Sequence, residues 1–284
     1  MLFTRAGIGF RDLRHKPILV PEDVKARFDF AKKFVRKTEA RRSRSVQLRL
    51  GNHHFKCATA KRGRKLRAKT RVRGVYRKRG KPLRSGHVKP NPKLKLATSA
   101  KGFLKAGGVG SGKVLVWHTI TSAWCGAAVA DLYSHVITLA LRKEHPRQTS
   151  FALLEGNDPT GNHTDLAKVA KSASKLWVLE IPKRSPDLNV MGYAVWSEVE
   201  RKLREQERKW TSSKKESRAA FEKGSDKATH NLNPDFIHNS IGGMQRRGTL
   251  WDEAKGGLFE EGGHRWRHAQ PRRAQLCSAA SQKA

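Results

Sequence analysis

Between Arg41 and Ala130 the chain carries no Asp or Glu, while 24 Lys and Arg fall within those 90 residues. No ion pair can form inside such a stretch, so its cations must stay in water, meet acids from elsewhere or meet a polyanion. The rest of the chain supplies few acids: 60 Lys and Arg stand against 24 Asp and Glu in 284 residues, a formal net charge of +36. Charge of that size drives a compact chain apart unless it is screened, and the partner it implies is nucleic acid. The densest run, KRGRKLRAKTRVRGVYRKRGK, holds Lys61, Arg62, Arg64, Lys65, Arg67, Arg71, Arg73, Arg77, Lys78 and Arg79 as candidate phosphate contacts. Tyr76 lies among them as a candidate for stacking on a base. KRGRK and RKRGK also fit nuclear import signals, so a nuclear location is expected.

Hydrophobic residues make up 37% of the chain and include seven Trp, enough for a real core. Cys57, Cys125 and Cys277 lie far apart, which suggests neither a disulfide framework nor a zinc knuckle and fits a reducing compartment. The start lacks the apolar core of a signal peptide, and no run approaches the roughly 20 apolar residues that span a bilayer. A soluble intracellular protein without a membrane partner is expected, and the sequon Asn162-His163-Thr164 reads as a chance match.

Pro21-Glu22-Asp23 opens a helical pattern carried by Val24, Phe28, Ala31 and Val35. Val46 to Leu50 alternates apolar with polar residues as a half-buried strand does; Gly51-Asn52 marks its end or a hairpin turn, with His53-His54-Phe55 beginning the return strand. Val114 to Trp117 is a short buried strand, and Val129 to Leu141 is helical until His145-Pro146. The apolar runs Phe151–Leu154 and Trp177–Ile181 flank a small helix at 165–174. Met191 to Arg208 reads as a long helix with Val195, Trp196, Val199 and Leu203 on one face, and with ion pairs Glu198–Lys202 and Glu200–Arg204. Weaker helices follow at 217–229 and 234–245, and the basic end from Gly262 is expected to be disordered. Strands followed by helix, strand, helix, strand, helix predict a mixed α/β sheet flanked by helices. The expected organisation is a lead-in over 1–40, a sheet domain over 41–210 that includes a basic segment at 61–101, and a helical to disordered basic tail over 211–284.

Other patterns are set aside on physical grounds. Gly107 to Lys113 nearly spells a phosphate loop, but Val114 replaces the Ser or Thr that would hold Mg²⁺ and a strand follows where a helix is needed, so the run reads as a glycine-rich connection into that strand. His53, His54 and Cys57 lack a fourth ligand at a plausible spacing. Trp117, Trp124, Trp177 and Trp196 are assigned to the core.

Three stretches then fall into an order. LRLGNHHF carries Gly51, FALLEGNDPTGNH carries Gly156, and Ser185-Pro186-Asp187-Leu188-Asn189 leads through Val190-Met191 to Gly192 just before Trp196. The last two resemble the mariner-type DDE transposases, where a strand ends in an acid-Asn loop and a later strand leads through SPDLN to an acid ahead of a Trp-bearing helix. Val114-Leu115-Val116-Trp117 resembles that family's central strand, and the likeness covers roughly residues 15 to 260.

The resemblance implies a ribonuclease H-like fold, DNA as partner, a dimer as a candidate assembly, and strand cleavage and transfer through two Mg²⁺ or Mn²⁺ ions held by three carboxylates. It also puts Gly51, Gly156 and Gly192 at the three acid positions, where glycine offers no side-chain oxygen to a hard cation. The expectation is a DNA-binding protein without cleavage and without a bound metal cofactor. Asp158 and Asp187 are the weak substitutes; Glu155, one residue from Gly156, would face the other side of a strand. The some 40 residues before the first strand are too few for the family's helix-turn-helix modules, so sequence-tolerant binding is expected. Read singly, each glycine is also a plain turn, loop or helix-start residue. A basic DNA- or RNA-binding protein unrelated to transposition stays open as the alternative.

Overall fold

The computed structural model describes residues 8–12, 14–16, 19–35, 46–56, 74–78, 88–90, 102–208 and 217–259. Among these, β3 (Leu48–Lys56), β6 (Gly102–Gly110), β7 (Lys113–Ile120), β8 (Phe151–Leu154) and β9 (Leu176–Val178) form a five-stranded sheet in the order β7-β6-β3-β8-β9. β7, β6 and β3 are antiparallel neighbours, whereas β3, β8 and β9 run parallel. Two short ribbons pair β1 (Ile8–Asp12) with β4 (Gly74–Lys78), and β2 (Arg14–Lys16) with β5 (Val88–Pro90). The expected mixed sheet with flanking helices is therefore present.

Helices cover both faces. α1 (Pro21–Val35) begins at Pro21, and α2 (126–144) contains a π-helical stretch at Leu132–Ile137. α3 (Asp165–Ala173) is capped by Thr164, whose hydroxyl accepts from Ala167 N at 3.4 Å. The sequon asparagine is buried, donating from Nδ2 to Gly156 O at 2.9 Å. α4 (191–208) starts as a π-turn at Met191–Val195; α5 (Arg218–His230) and α6 (Pro234–Glu253) are capped by Ser217 and Asn233. α6 runs on past the expected end, burying Arg247 and Trp251 in its last turns. The expected tail from Gly262, and the boundary at 210, lie outside the described residues.

The period of two along β3 sets the two cores. Leu48 and Leu50 join Leu104, Val116, Tyr133 and Ala167 on the α2/α3 face. Phe55 points to the other face, with Met191, Trp196, Phe221 and Ile237 of α4 to α6. A third cluster of Ala31, Leu188, Met244 and Trp251 ties α1 to α6.

Several expectations are corrected. Gly51-Asn52 is not a turn: β3 continues through it to Lys56, and the return strand is β6, in register Gly51 to Gly107. The glycine run is strand rather than connection, paired with β3 and β7, and neighbours pressing on it leave no room for side chains. A Cβ at Gly107 would lie 2.5 Å from Trp196, and one at Gly110 would lie 2.0 Å from Gln47 O. The turn itself is Ser111-Gly112, with φ of 51° and 75°, the two-residue hairpin that positive φ permits. The run at 177–181 is strand only to Val178, and Trp177 is 48% exposed on the sheet's edge, not core; Trp124 and Trp196 are buried. Glu198 pairs with Arg201 rather than Lys202, while Glu200 does pair with Arg204.

Candidate active-site cleft

β3 and β8 are partners only at Leu48 with Leu153 and Arg49 with Leu154. Beyond them β8 ends and β3 continues, leaving a cleft of about 860 Å³ past the C-terminal end of β8 and beside the middle of β3. Gly51 on β3, Gly156 on the loop after β8 and Gly192 in the first turn of α4 all line it. Asn189 brings the third element to the first: its Nδ2 donates to Leu50 O at 2.8 Å, and its Oδ1 accepts from Met191 N at 3.1 Å. Asn157 in turn donates to Ile181 O, joining the loop after β8 to the segment that precedes SPDLN.

The three glycines differ in the space around them. A Cβ at Gly156 would meet nothing within 4 Å, whereas one at Gly51 would lie 2.9 Å from Met191 Cβ and 3.3 Å from Trp196 Nε1. At Gly192 it would stand 3.0 Å from Pro186 O. The cleft at Gly51 is filled from the α4 side by Met191 and Trp196.

Among the described residues two carboxylates line the cleft, Asp158 and Glu200. Asp158 Oδ1 accepts from Thr160 N and Oγ1, and its Oδ2 is enclosed without a partner. His53 Nε2–H donates to Glu200 Oε1 at 2.9 Å, and Arg204 pairs with Oε2. The hydrogen bond from His53 holds the Glu200 carboxyl down at about 2, against a smaller opposing effect of burial. His53 also stacks on Trp196, with ring centroids 5.2 Å apart.

Asp187 is engaged elsewhere: it lies in the short turn Pro186–Leu188 with its carboxylate turned inward to Arg27 and Trp251. Glu155 is buried behind the cleft, accepting from Tyr133 Oη and, at 2.7 Å, from Lys171 Nζ. Burial of the Tyr133 phenol itself, with the neighbouring Glu155 charge, raises the Tyr133 pKa well above the ordinary phenol value. Among the described residues, no three His, Cys, Asp or Glu side chains are grouped as a metal site. A centre of two divalent ions asks for converging oxygen ligands, and the donor set of this cleft does not fit it.

Of the basic candidates, Tyr76, Arg77 and Lys78 fall on β4, opposite Phe10, Gly9 and Ile8. Lys61, Arg62, Arg64, Lys65, Arg67, Arg71, Arg73 and Arg79 lie outside the described residues, as does Cys57. Sequence reasoning passed over Asn189 as a bridge and missed the His53–Glu200 pair; the intact SPDLN string was the signal for the first.

Three antiparallel strands extended by two parallel ones, with a cleft where the central strand runs on past its parallel neighbour, define a ribonuclease H-like fold. Comparison with solved structures narrows this to one version. The chain superimposes on a pre-cleavage Mos1 transpososome with a TM-score of 0.64 and 14% identity, over 91% of this chain and 70% of that one. It matches the catalytic domain of Mos1 mariner transposase at 0.57 and 13%, over 86% and 99%. A mariner Mos1 paired end complex with Mg gives 0.63 and 14%, over 91% and 70%. The fold is that of a mariner transposase catalytic domain. No protein-family model and no curated protein matches the sequence. Among the described residues no helix is long and apolar enough to cross a membrane.

Proposed function

We propose that this chain is a transposase-derived DNA-binding protein that does not cut DNA. The observation that carries the reading is the cleft: Gly51, Gly156 and Gly192, which the sequence resemblance puts at the family's three acid positions, line one cavity between β3, the loop after β8 and the start of α4. In the DDE arrangement that is where the metal-holding carboxylates stand, and none of the three glycines can replace one. Loss of all three ligands takes away the stabilisation of the developing phosphoryl charge on which such catalysis rests. The net charge of +36 supplies the DNA affinity, and the nucleus is the proposed location.

The test joins two measurements on the purified chain. Supercoiled plasmid incubated with Mg²⁺ or Mn²⁺ remains uncut above background, while duplex DNA is bound with a steep salt dependence of about −0.9 per phosphate contact on double-logarithmic axes. Metal-dependent nicking that follows the protein through purification overturns the reading, and so does failure to bind DNA at low salt.

A further inference from the structure

Three of the five large apolar side chains exposed among the described residues gather at one edge of the sheet: Leu166 and Val169 on α3, 59% and 67% exposed, and Trp177 on β9. Val20 and Leu139 lie on other parts of the chain. The pattern of α3 is reversed with respect to the core. Its inward face is made of Ala167 and Ala170, which pack with Leu176, whereas Leu166, Val169 and Ala173 follow at steps of three and four along the outward face. An apolar stripe of this period is what a helix turns toward a partner, and facing water it contributes nothing to the fold.

The same stretch is charge-balanced within a strongly basic chain. Residues 151–182 hold four acids, Glu155, Asp158, Asp165 and Glu180, against the three cations Lys168, Lys171 and Lys175, a net −1, so the other 252 residues carry +37. Two copies of a +36 chain repel one another, and they approach with least repulsion through a face that has no excess charge. The two ends of α3 are opposite in sign. Asp165 opens the helix with its side chain 95% exposed, and exposed Lys175 lies just past the end at φ 54°. Asp165 Oδ1 accepts from Lys168 Nζ of its own helix at 2.9 Å, and an exposed pair of that kind holds an acid only weakly.

We propose that α3 is a docking surface for a second copy of this chain, the two helices packing antiparallel about a two-fold axis at Val169. The inference is independent of the DNA-binding reading above. About such an axis every contact is made twice. Val169 meets its own equivalent, Leu166 lies over the partner's Ala173, large against small, and Asp165 faces the partner's Lys175. A stripe with a large and acidic end and a small and basic end is thus complementary to its own reversal. Parallel packing would instead set Asp165 against Asp165 and Lys175 against Lys175, and like charges so placed reject that arrangement. Two helices of nine residues cover less than the roughly 800 Å² per partner of a standard interface, so the association is weak and reversible.

Sedimentation equilibrium of the full chain, freed of nucleic acid by nuclease and followed from micromolar to sub-millimolar concentration, tests this. The weight-average mass should rise from 32.0 kDa toward twice that value. The rise should strengthen with salt, because screening relieves the repulsion between copies, whereas clustering on residual nucleic acid weakens with salt. Val169→Glu sets two carboxylates at the axis and should weaken association at least about tenfold. At intermediate salt Asp165→Lys and Lys175→Asp should each weaken it, and the double reversal should restore it, a recovery that damage to the fold cannot produce. Asp is among the residues that tolerate the positive φ at position 175. A chain that stays at 32.0 kDa throughout overturns the proposal, as does association that Val169→Glu leaves unaltered or a double reversal no better than its single changes. Duplex binding measured on the same preparations reads the DNA-binding proposal separately, so either can fail while the other stands.

Discussion

Arg27 of α1 and Asp187 of the SPDLN segment are joined by two hydrogen bonds in the interior, Nη2 to Oδ2 at 2.8 Å and Nη1 to Oδ1 at 3.2 Å, with side chains 0% and 3% exposed. Trp251 Nε1 donates to the same Oδ2 at 2.9 Å, and its ring lies 3.8 Å from the guanidinium carbon. Arg27 also donates to Gly256 O and Arg184 O. One buried pair therefore fastens α1, the end of α6 and the segment that delivers Gly192 to the cleft.

Removing one member of that pair strands the other. Arg27→Met should destabilise the fold by about 3–5 kcal/mol, because it leaves a buried carboxylate with the indole N–H as its remaining side-chain donor. Urea denaturation checks this, and Arg27→Met with Asp187→Asn should recover part of the loss.

The glycines of the cleft should respond differently to the same substitution. Gly51→Asp drives a Cβ to within 2.9 Å of Met191 Cβ and should cost about 1–3 kcal/mol as overpacking. Gly156→Asp enters open space and should change stability by less than about 0.5 kcal/mol. Thermal unfolding of the two variants side by side gives the comparison. Equal losses would show that the cleft wall moves aside at Gly51.

Lys105, buried in the sheet, holds α5 through Asp226 at 2.8 Å and Glu222 at 3.3 Å; Trp117 Nε1 donates to Asp226 at 3.0 Å, and Thr119 donates to Glu222. The two acids are partly exposed, so their charges remain hydrated when the lysine is lost. Lys105→Met should therefore cost less than Arg27→Met and act locally. Hydrogen exchange is expected to speed in α5 and to stay slow in β3 and β6.

Acid stability should depend on Glu200. Its carboxyl is held at about 2 by the His53 hydrogen bond, below its ordinary value of 4.5. A depressed carboxyl stabilises the fold above its unfolded value and loses that contribution as pH falls through the folded one. The loss is therefore expected between about pH 4.5 and about 2. Glu200→Gln should flatten the unfolding midpoint across that window and leave its slope at neutral pH unchanged. An unaltered acid profile would show that His53 does not hold the carboxylate in solution.

Much of the architecture was legible in local pattern. Pro21 and the acids after it open α1, and the apolar spacing through Val195, Trp196, Val199 and Leu203 marks the buried face of α4. The apolar runs at β7 and β8 are strands, and SPDLN with Trp196 carried the likeness that the fold comparison bears out. β6 was not legible, because its glycines read as loop until Trp196 and Gln47 are seen pressing on them. Trp177 was read as core from hydrophobicity, but β9 is the outermost strand and no neighbour covers that position within the sheet.

By itself the sequence determined most of the helices, the strands β7 and β8, the excess of positive charge and the absence of side chains at three positions. All of these follow from residue type and from the short-range periodicity of the backbone. Only the tertiary structure decided that Gly51, Gly156 and Gly192 line one cleft, that Asp187 turns inward to Arg27 across 160 positions of chain, and that Glu200 is held by His53. Strand order and helix packing bring those groups together, and no local spacing encodes which distant atoms will share a buried space.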